Sequence, residues 1–360
     1  MIYLDYAATT PLHPQALDHY QQAAQSFYGN SSSLHDIGGN AERLLERARH
    51  YLMQRLDQQE GTVIFTGSGS EANYIALTHL MRQSRKTAVL TLQCEHDSIL
   101  LPLARWAQET RYLSLLPDGT FDWDQFVTAC TDDIGVVSIQ HVNSDTGFRF
   151  PVERIAAYCQ SRGILFHCDG VQGFLKDDIN IDAFDAYTMS SHKVYGPKGL
   201  GALYLRRPLF SPYYEGHHEF GIRPGTVDVP GIAAFIAACE ASRLENPGIQ
   251  DSSQVFRGML KKTLSSSRYT IIESPTQLAS ICAIHTKQRD GQYVLLALNR
   301  AGIAVSAGSA CRAGENGPNA TLRAIGFDES AAHGLIRFSF GRKTTNEEIA
   351  QCIDVLNTIS

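Results

Sequence analysis

The chain has 360 residues, 43% of them hydrophobic and 19% charged, an ordinary globular composition that excludes a disordered polypeptide. Its 31 Lys and Arg against 37 Asp and Glu leave a net charge of -6, which argues against nucleic acid as the main partner, since such partners leave a basic footprint. The apolar run from Ile232 to Cys239 has eight residues, well short of the roughly 20 that a membrane span requires. The first residues carry Asp5 and no basic stretch, so no signal peptide is expected, and a cytoplasmic protein of two domains is the expectation.

Through the first two thirds of the chain, apolar runs of strand type alternate with helical patterns. Strands are expected at Thr62–Thr66, Ala88–Leu92, 135–141, 164–168 and 200–205, and helices over 71–81 and along the face made by Leu44, Leu45, Ala48, Leu52 and Leu56. Near-continuous apolar strands alternating with helices imply an α/β fold with a mainly parallel sheet covered on both faces. In such sheets, ligands gather at the carboxyl ends of the strands. The breaker-rich stretch 245–253 reads as a boundary. Beyond it, strands at 278–285, 303–306 and 335–340 and helices at 292–300 and after the capping box Thr345–Glu348 suggest a compact α+β unit of about 110 residues.

Five segments could carry chemistry. In Thr66-Gly-Ser-Gly-Ser70, a strand ends and a helix begins, so exposed amides, the helix N-terminus and the Ser70 hydroxyl suit a phosphate; a plain tight turn is the competing reading. Asp169 ends a buried strand and would there meet either a cation, such as a protonated pyridine nitrogen, or helix N–H groups to cap. Lys193, beside His192 and between apolar strands, can lose enough charge to form a Schiff base, whereas Lys198 reads as a surface lysine. The eight cysteines form no C-x-x-C pair, which speaks against a zinc knuckle or a thioredoxin motif, and no metal site is expected. Seven of them lie in apolar context, while Cys311 lies in a Gly/Ser/Ala loop beside Arg312, where a thiolate is favoured. Arg337 lies inside an alternating strand and needs an anionic partner, either a substrate carboxylate or a structural carboxylate.

Taken in order, these segments are more specific than any one alone. They run from Leu4-Asp-Tyr-Ala-Ala-Thr-Thr-Pro11 and Gly29-Asn-Ser-Ser-Ser-Leu-His35 through Phe65-Thr-Gly-Ser-Gly-Ser-Glu71, Glu95-His96, His141-Val-Asn143, Asp169-Gly-Val-Gln172 and Ser190-Ser-His-Lys193 to Arg223-Pro-Gly-Thr226, Ser309-Ala-Cys311 and Arg337-Phe-Ser339. The set resembles the NifS/IscS-like cysteine desulfurases, class V aminotransferases of the fold-type I pyridoxal phosphate group. The resemblance implies a seven-stranded-type sheet in a large cofactor domain over 13–248 and a smaller α+β domain made from 1–12 and 249–360. It implies pyridoxal 5'-phosphate on Lys193, with Asp169 at the pyridine nitrogen, Gln172 at the ring oxygen and His96 stacked on the ring, helping with proton transfer. Ser70, Ser190 and His192, with Gly69 in the same turn, would hold the phosphate, joined by Thr226 of a second subunit in a homodimer. Asn143 and Arg337, with Asn30 close by, would grip the carboxylate of L-cysteine. Cys311 would accept its sulfur as a persulfide, leaving alanine, and would pass the sulfur to an acceptor protein for iron–sulfur clusters or thio-cofactors.

The chain departs from that pattern at Glu215-Gly-His-His-Glu219, where the family has Gly-Gly-Gly-Gln-Glu, at Pro224 for Ser, at Ser31 where Pro is common, and in stopping at Ser360, short of the tail that long members use for docking. His217 and His218 are expected to be solvated loop residues. The competing functions are a selenocysteine lyase or a transaminase, which would keep the cofactor, and a sulfur-relay scaffold without turnover, which the intact Lys193, Asp169 and His96 set opposes.

Overall fold

The computed structural model describes residues 1–207, 218–308 and 317–359. A short strand, β1 (Ile2–Tyr3), and the helices α1 (Pro14–Ser26) and α2 (Asp36–Arg55) lead into alternating elements. These are β2 (Thr62–Thr66), α3 (Gly69–Gln83), β3 (Ala88–Leu92), α4 (Asp97–Trp106), β4 (Glu109–Leu113), α5 (Trp123–Ala129), β5 (Ile134–Gln140), α6 (Val152–Ser161), β6 (Leu165–Asp169), β7 (Ala186–Ser190) and β8 (Gly201–Leu205). There follow α7 (Val229–Thr263), β9 (Tyr269–Ile272), β10 (Ile281–Thr286), α8 (Gly291–Arg300), β11 (Ile303–Ala304), β12 (Ser306–Ala307), α9 (Ala320–Ala324), β13 (Leu335–Ser339) and α10 (Asn346–Thr358).

Seven strands form one sheet in the order β2-β8-β7-β6-β5-β3-β4. All neighbours are parallel except β8, which runs against both β2 and β7. The strands β3, β5, β7 and β8 are buried at every position, as a sheet covered on both faces demands. The α/β expectation with a mainly parallel seven-stranded sheet therefore holds. The reversal at β8 was not legible in an apolar run, because a strand buried on both faces reads alike in either direction. A second sheet, β12-β13-β10-β9, is antiparallel and packs its own core of Ile284, Val294, Leu298, Phe338 and Ile353.

Residues 245–253 lie inside the single 35-residue helix α7, so the expected boundary at 248 falls mid-helix. Pro247 removes one backbone donor, yet side chains hold the segment, with Asn246 Nδ2 donating to Lys176 O at 3.1 Å and Gln250 Nε2 to Asn246 Oδ1 at 3.0 Å. The expected strand 303–306 is split: β11 pairs with β1, whereas β12 joins the four-stranded sheet. The capping box does form, with Thr345 Oγ1 accepting from Glu348 N and the Glu348 carboxylate accepting from Thr345 N.

The chain enters the site from its own start. Residues 5–10 lie across the carboxyl ends of the large sheet, where Thr10 N donates to His192 O at 3.0 Å and Ala7 N to Ser339 Oγ at 2.8 Å. One short segment thus touches both sheets.

Candidate active site

The carboxyl ends of β2, β5, β6 and β7 converge on a cavity of about 250 Å³. It is lined by Ala7, Ala8, Ser68, Gly69, Ser70, Asn73, His96, Ser98, Asp169, Gln172, Ser190, His192, Lys193 and Arg337, among others. The structure thus brings together nine of the expected residues: Gly69, Ser70, His96, Asp169, Gln172, Ser190, His192, Lys193 and Arg337.

One end of the cavity is built for an anion. Ser68 caps α3, its hydroxyl accepting from Glu71 N at 3.0 Å, so the first turn, with Gly69 and Ser70, faces the cavity. A Cβ at Gly69 would lie 2.7 Å from Val171 Cγ2, so a larger residue here would have to push that side chain aside. Beside it, Ser190 is 2% exposed and its hydroxyl finds no partner among the described residues, which leaves a donor for a group not made of protein. His192 is driven down to about 4 by burial and by the charges of Lys193, Lys176 and Lys198, so it stays neutral and offers the cavity a hydrogen bond rather than a charge. Its Nδ1 lies 3.1 Å from Thr9 Oγ1.

The middle of the cavity holds an amine and a carboxylate. Lys193 ends a single 3-10 turn after β7, and its Nζ donates to Ala7 O at 2.6 Å and Ala8 O at 2.8 Å. Asp169 closes β6 and is 6% exposed; its oxygens accept from Asn73 Nδ2 at 2.8 Å and Val171 N at 3.0 Å. Gln172 donates from Nε2 to Ala7 O at 2.8 Å and accepts from Lys176 Nζ at 3.3 Å. Burial lowers Lys176 to about 7, with Lys193 and Arg337 adding repulsion. His96 caps α4 through Nδ1, which accepts from Ser98 N at 3.1 Å.

The far end holds Arg337, 4% exposed on β13. Its Nη2 donates to Asp5 Oδ1 at 2.8 Å and its Nη1 to Ser144 O at 3.0 Å, while Nε has no partner among the described residues. Both readings of Arg337 thus meet at one residue: it has a structural carboxylate, and it lines the cavity.

Other expected residues lie elsewhere. Asn143 does not line the cavity. Its Oδ1 accepts from Asp145 N, Thr146 N and Thr146 Oγ1, and its Nδ2 donates to Cys94 O and Thr321 Oγ1, so it knits the 141–148 loop to the chain around it. Asn30 is exposed, its Oδ1 accepting from Ser32 N, and Thr226 is exposed and away from this chain's own cavity. Cys311, Arg312 and His217 lie outside the described residues. His218 meets the Asn30 loop, with Nδ1 3.3 Å from Ser32 Oγ, so two of the departures from the family pattern sit side by side. Glu219, from the same altered stretch, is buried and pairs with Arg49 while accepting from Phe65 N at 2.6 Å. The seven described cysteines are all buried, as their apolar context implied.

Asn73, Ser98, Lys176 and Asp5 escaped the sequence reading. A faint signal existed for Asn73, which lies one helical turn after Gly69 and so shares its face.

Among known proteins, the Aminotransferase class-V family matches residues 2–352. A NifS relative from Bacillus subtilis (strain 168) is 38% identical over 100% of this chain and 94% of its own length. A cysteine desulfurase of Trichormus azollae is 35% identical over 100% of this chain and 92% of its own. The solved structure of SspA in complex with cysteine superposes with a TM-score of 0.81 at 27% identity, covering 94% of this chain and 99% of that one. The chain belongs to the class V aminotransferase family, among its NifS-like cysteine desulfurases.

Proposed function

We propose that this cavity takes sulfur from L-cysteine with pyridoxal 5'-phosphate as cofactor, Lys193 as its attachment point and Cys311 as the first sulfur acceptor. The observation that carries the reading is one cavity holding a lysine amine, a buried carboxylate and an anion cradle at its end. The residues fit the group. The α3 N-terminus and the unpartnered Ser190 hydroxyl suit its phosphate, Asp169 suits a protonated ring nitrogen, and Gln172 and His192 supply neutral polar contacts. When bound, the cofactor supplies an electron sink next to the substrate's α-carbon.

The protein's share follows from its own groups. Asp169 is held by Asn73 and Val171 N, so its carboxylate is oriented before any ligand arrives. Lys193 Nζ hangs on two carbonyls of the N-terminal segment and can move between them and the ring, which positions it to shift the α-proton. Arg337 offers a fork to the carboxylate of cysteine from the opposite wall. The Cys311 thiolate attacks the substrate sulfur, forming an S–S bond as the C–S bond breaks and the carbon takes a proton, so that alanine leaves and a persulfide remains. That persulfide would then pass to an acceptor protein. Completion of the anion cradle by Thr226 of a second copy is part of the same reading. Among the described residues, no helix is long and apolar enough to cross a membrane.

The test is alanine and sulfide release from L-cysteine. Lys193→Ala and Cys311→Ala are each expected to cut turnover by roughly 10³-fold. Full alanine release by Cys311→Ser would sink the persulfide role, because the C–S bond would then break without this thiol. A purified protein that stays colourless and takes up no pyridoxal phosphate would overturn the reading as a whole.

A further inference from the structure

A chain of hydrogen bonds along the cavity wall runs from Asp169 to His96, and its polarity can be read atom by atom. Asn73 is 1% exposed, and its Nδ2 donates both to Asp169 Oδ2 at 2.8 Å and to Ser98 Oγ at 2.9 Å. The carboxylate fixes which end of the Asn73 amide faces it, because the amide oxygen there would meet another acceptor. Ser98 Oγ therefore accepts from Asn73, and its single proton points to the remaining neighbour, His96 Nδ1 at 2.7 Å. The same Nδ1 receives the backbone N–H of Ser98 at 3.1 Å, as the cap of α4. Two donors converge on one ring nitrogen, so that nitrogen carries no proton.

We infer that Asn73 and Ser98 are positioning residues that lock His96 as the neutral tautomer with its proton on Nε2. His96 then serves the site as a hydrogen-bond donor from Nε2 and not as a proton acceptor at Nδ1. Charging the ring would put a proton on Nδ1 against two donors and would break both the α4 cap and the Ser98 bond. The lock is anchored on Asp169, the carboxylate assigned to the cofactor nitrogen, so one network orients both groups. This inference deepens the function proposed above and rests on it for the cofactor; the tautomer itself rests on the hydrogen bonds alone.

The experiment is nitrogen-15 NMR of histidine-labelled protein, with and without pyridoxal phosphate, the His96 signals being assigned by their loss in His96→Asn. The wild type is expected to show a neutral His96 protonated on Nε2 at pH 7 in both forms. Ser98→Ala should raise the midpoint of His96 protonation by about 0.7 pH unit, the worth of one hydrogen bond to the neutral ring, and Ser98→Thr should restore it. Asn73→Leu should give a shift in the same direction, and folding of each variant is checked by its thermal transition. A proton on Nδ1, a charged ring at pH 7, or an unchanged midpoint in both Ser98→Ala and Asn73→Leu would overturn the lock. Failure of the protein to bind the cofactor would instead sink the proposed function and leave the tautomer result standing.

Discussion

The two walls of the cavity solve opposite problems. The wall at the edge of the large sheet keeps polar atoms in reserve: Ser190 Oγ and Asn73 Oδ1 are buried without partners among the described residues. The wall on the smaller sheet spends most of its polar capacity internally: the Arg337 fork is bonded to Asp5 and Ser144. Unmet buried groups cost folding free energy unless a ligand meets them. The first wall therefore carries a cost that a ligand can lift, whereas the second meets most of its own demand and leaves Arg337 Nε over. A carboxylate arriving at Arg337 has to share that fork with Asp5, so substrate affinity at this wall is set by competition within the protein.

The largest effect that would break this contrast is at Asp5. Removing it in Asp5→Ala leaves a guanidinium that is 4% exposed with only Ser144 O and the more distant Asp145, 3.9 Å away. A buried charge stripped of its partner costs about 3 kcal/mol. Denaturant melts are expected to show that loss, while a small carboxylate inhibitor binds more tightly because its competitor is gone. If neither stability nor inhibitor affinity moves, Asp5 is not the latch and the second wall is as open as the first.

A smaller loss is expected for Asn143→Ala. The change strands the N–H groups of Asp145 and Thr146 and the Cys94 carbonyl, for a cost of about 2 kcal/mol. Because Asn143 does not line the cavity, KM for cysteine should change less than about tenfold at temperatures where the variant remains folded, one tenfold step being 1.4 kcal/mol. A KM that rises far more than that, in a protein with near-normal stability, would return Asn143 to the substrate contacts that the family resemblance gave it.

How much of this could be read beforehand follows the range of the interactions. The strands Thr62–Thr66 and Ala88–Leu92 and the cap at Thr345 are settled by neighbours in the chain, and each formed where expected. The residues at strand ends, Asp169, Ser190 and Lys193, were legible because parallel strands deliver their carboxyl ends to one edge. The partners of Arg337 were not legible: Asp5 lies 332 residues away, and nothing in an alternating strand says which carboxylate will cross that distance. The helix through residues 245–253 was hidden for the same reason. Asn, Pro and Gly disfavour a helix locally, but α7 packs against α1 and α2, and long-range contact overrides local preference. The exposure of Asn30 and Thr226 shows the other limit, since a role such as the one proposed for Thr226 across a subunit contact would leave no trace within one chain.

The finest probe of the contrast is Lys176, which sits behind the first wall and touches Gln172. Its ammonium is partly buried and repelled by Lys193 and Arg337, with neutral His192 nearby, and it is lowered from 10.5 to about 7. Between about pH 7 and 10.5 the unfolded chain holds a proton at this position that the folded chain has shed. Stability tied to Lys176 therefore rises with pH across that window, and below pH 7 the full penalty of burying the charge is present. Lys176→Met removes the penalty. It is expected to melt higher than the wild type at pH 6, by about 1 kcal/mol after allowance for water reaching the side chain, and to match it near pH 10. Equal melting at both pH values, or a lower transition at pH 6, would mean that the Gln172 contact outweighs the burial of charge, and that this part of the first wall is satisfied from within like the second.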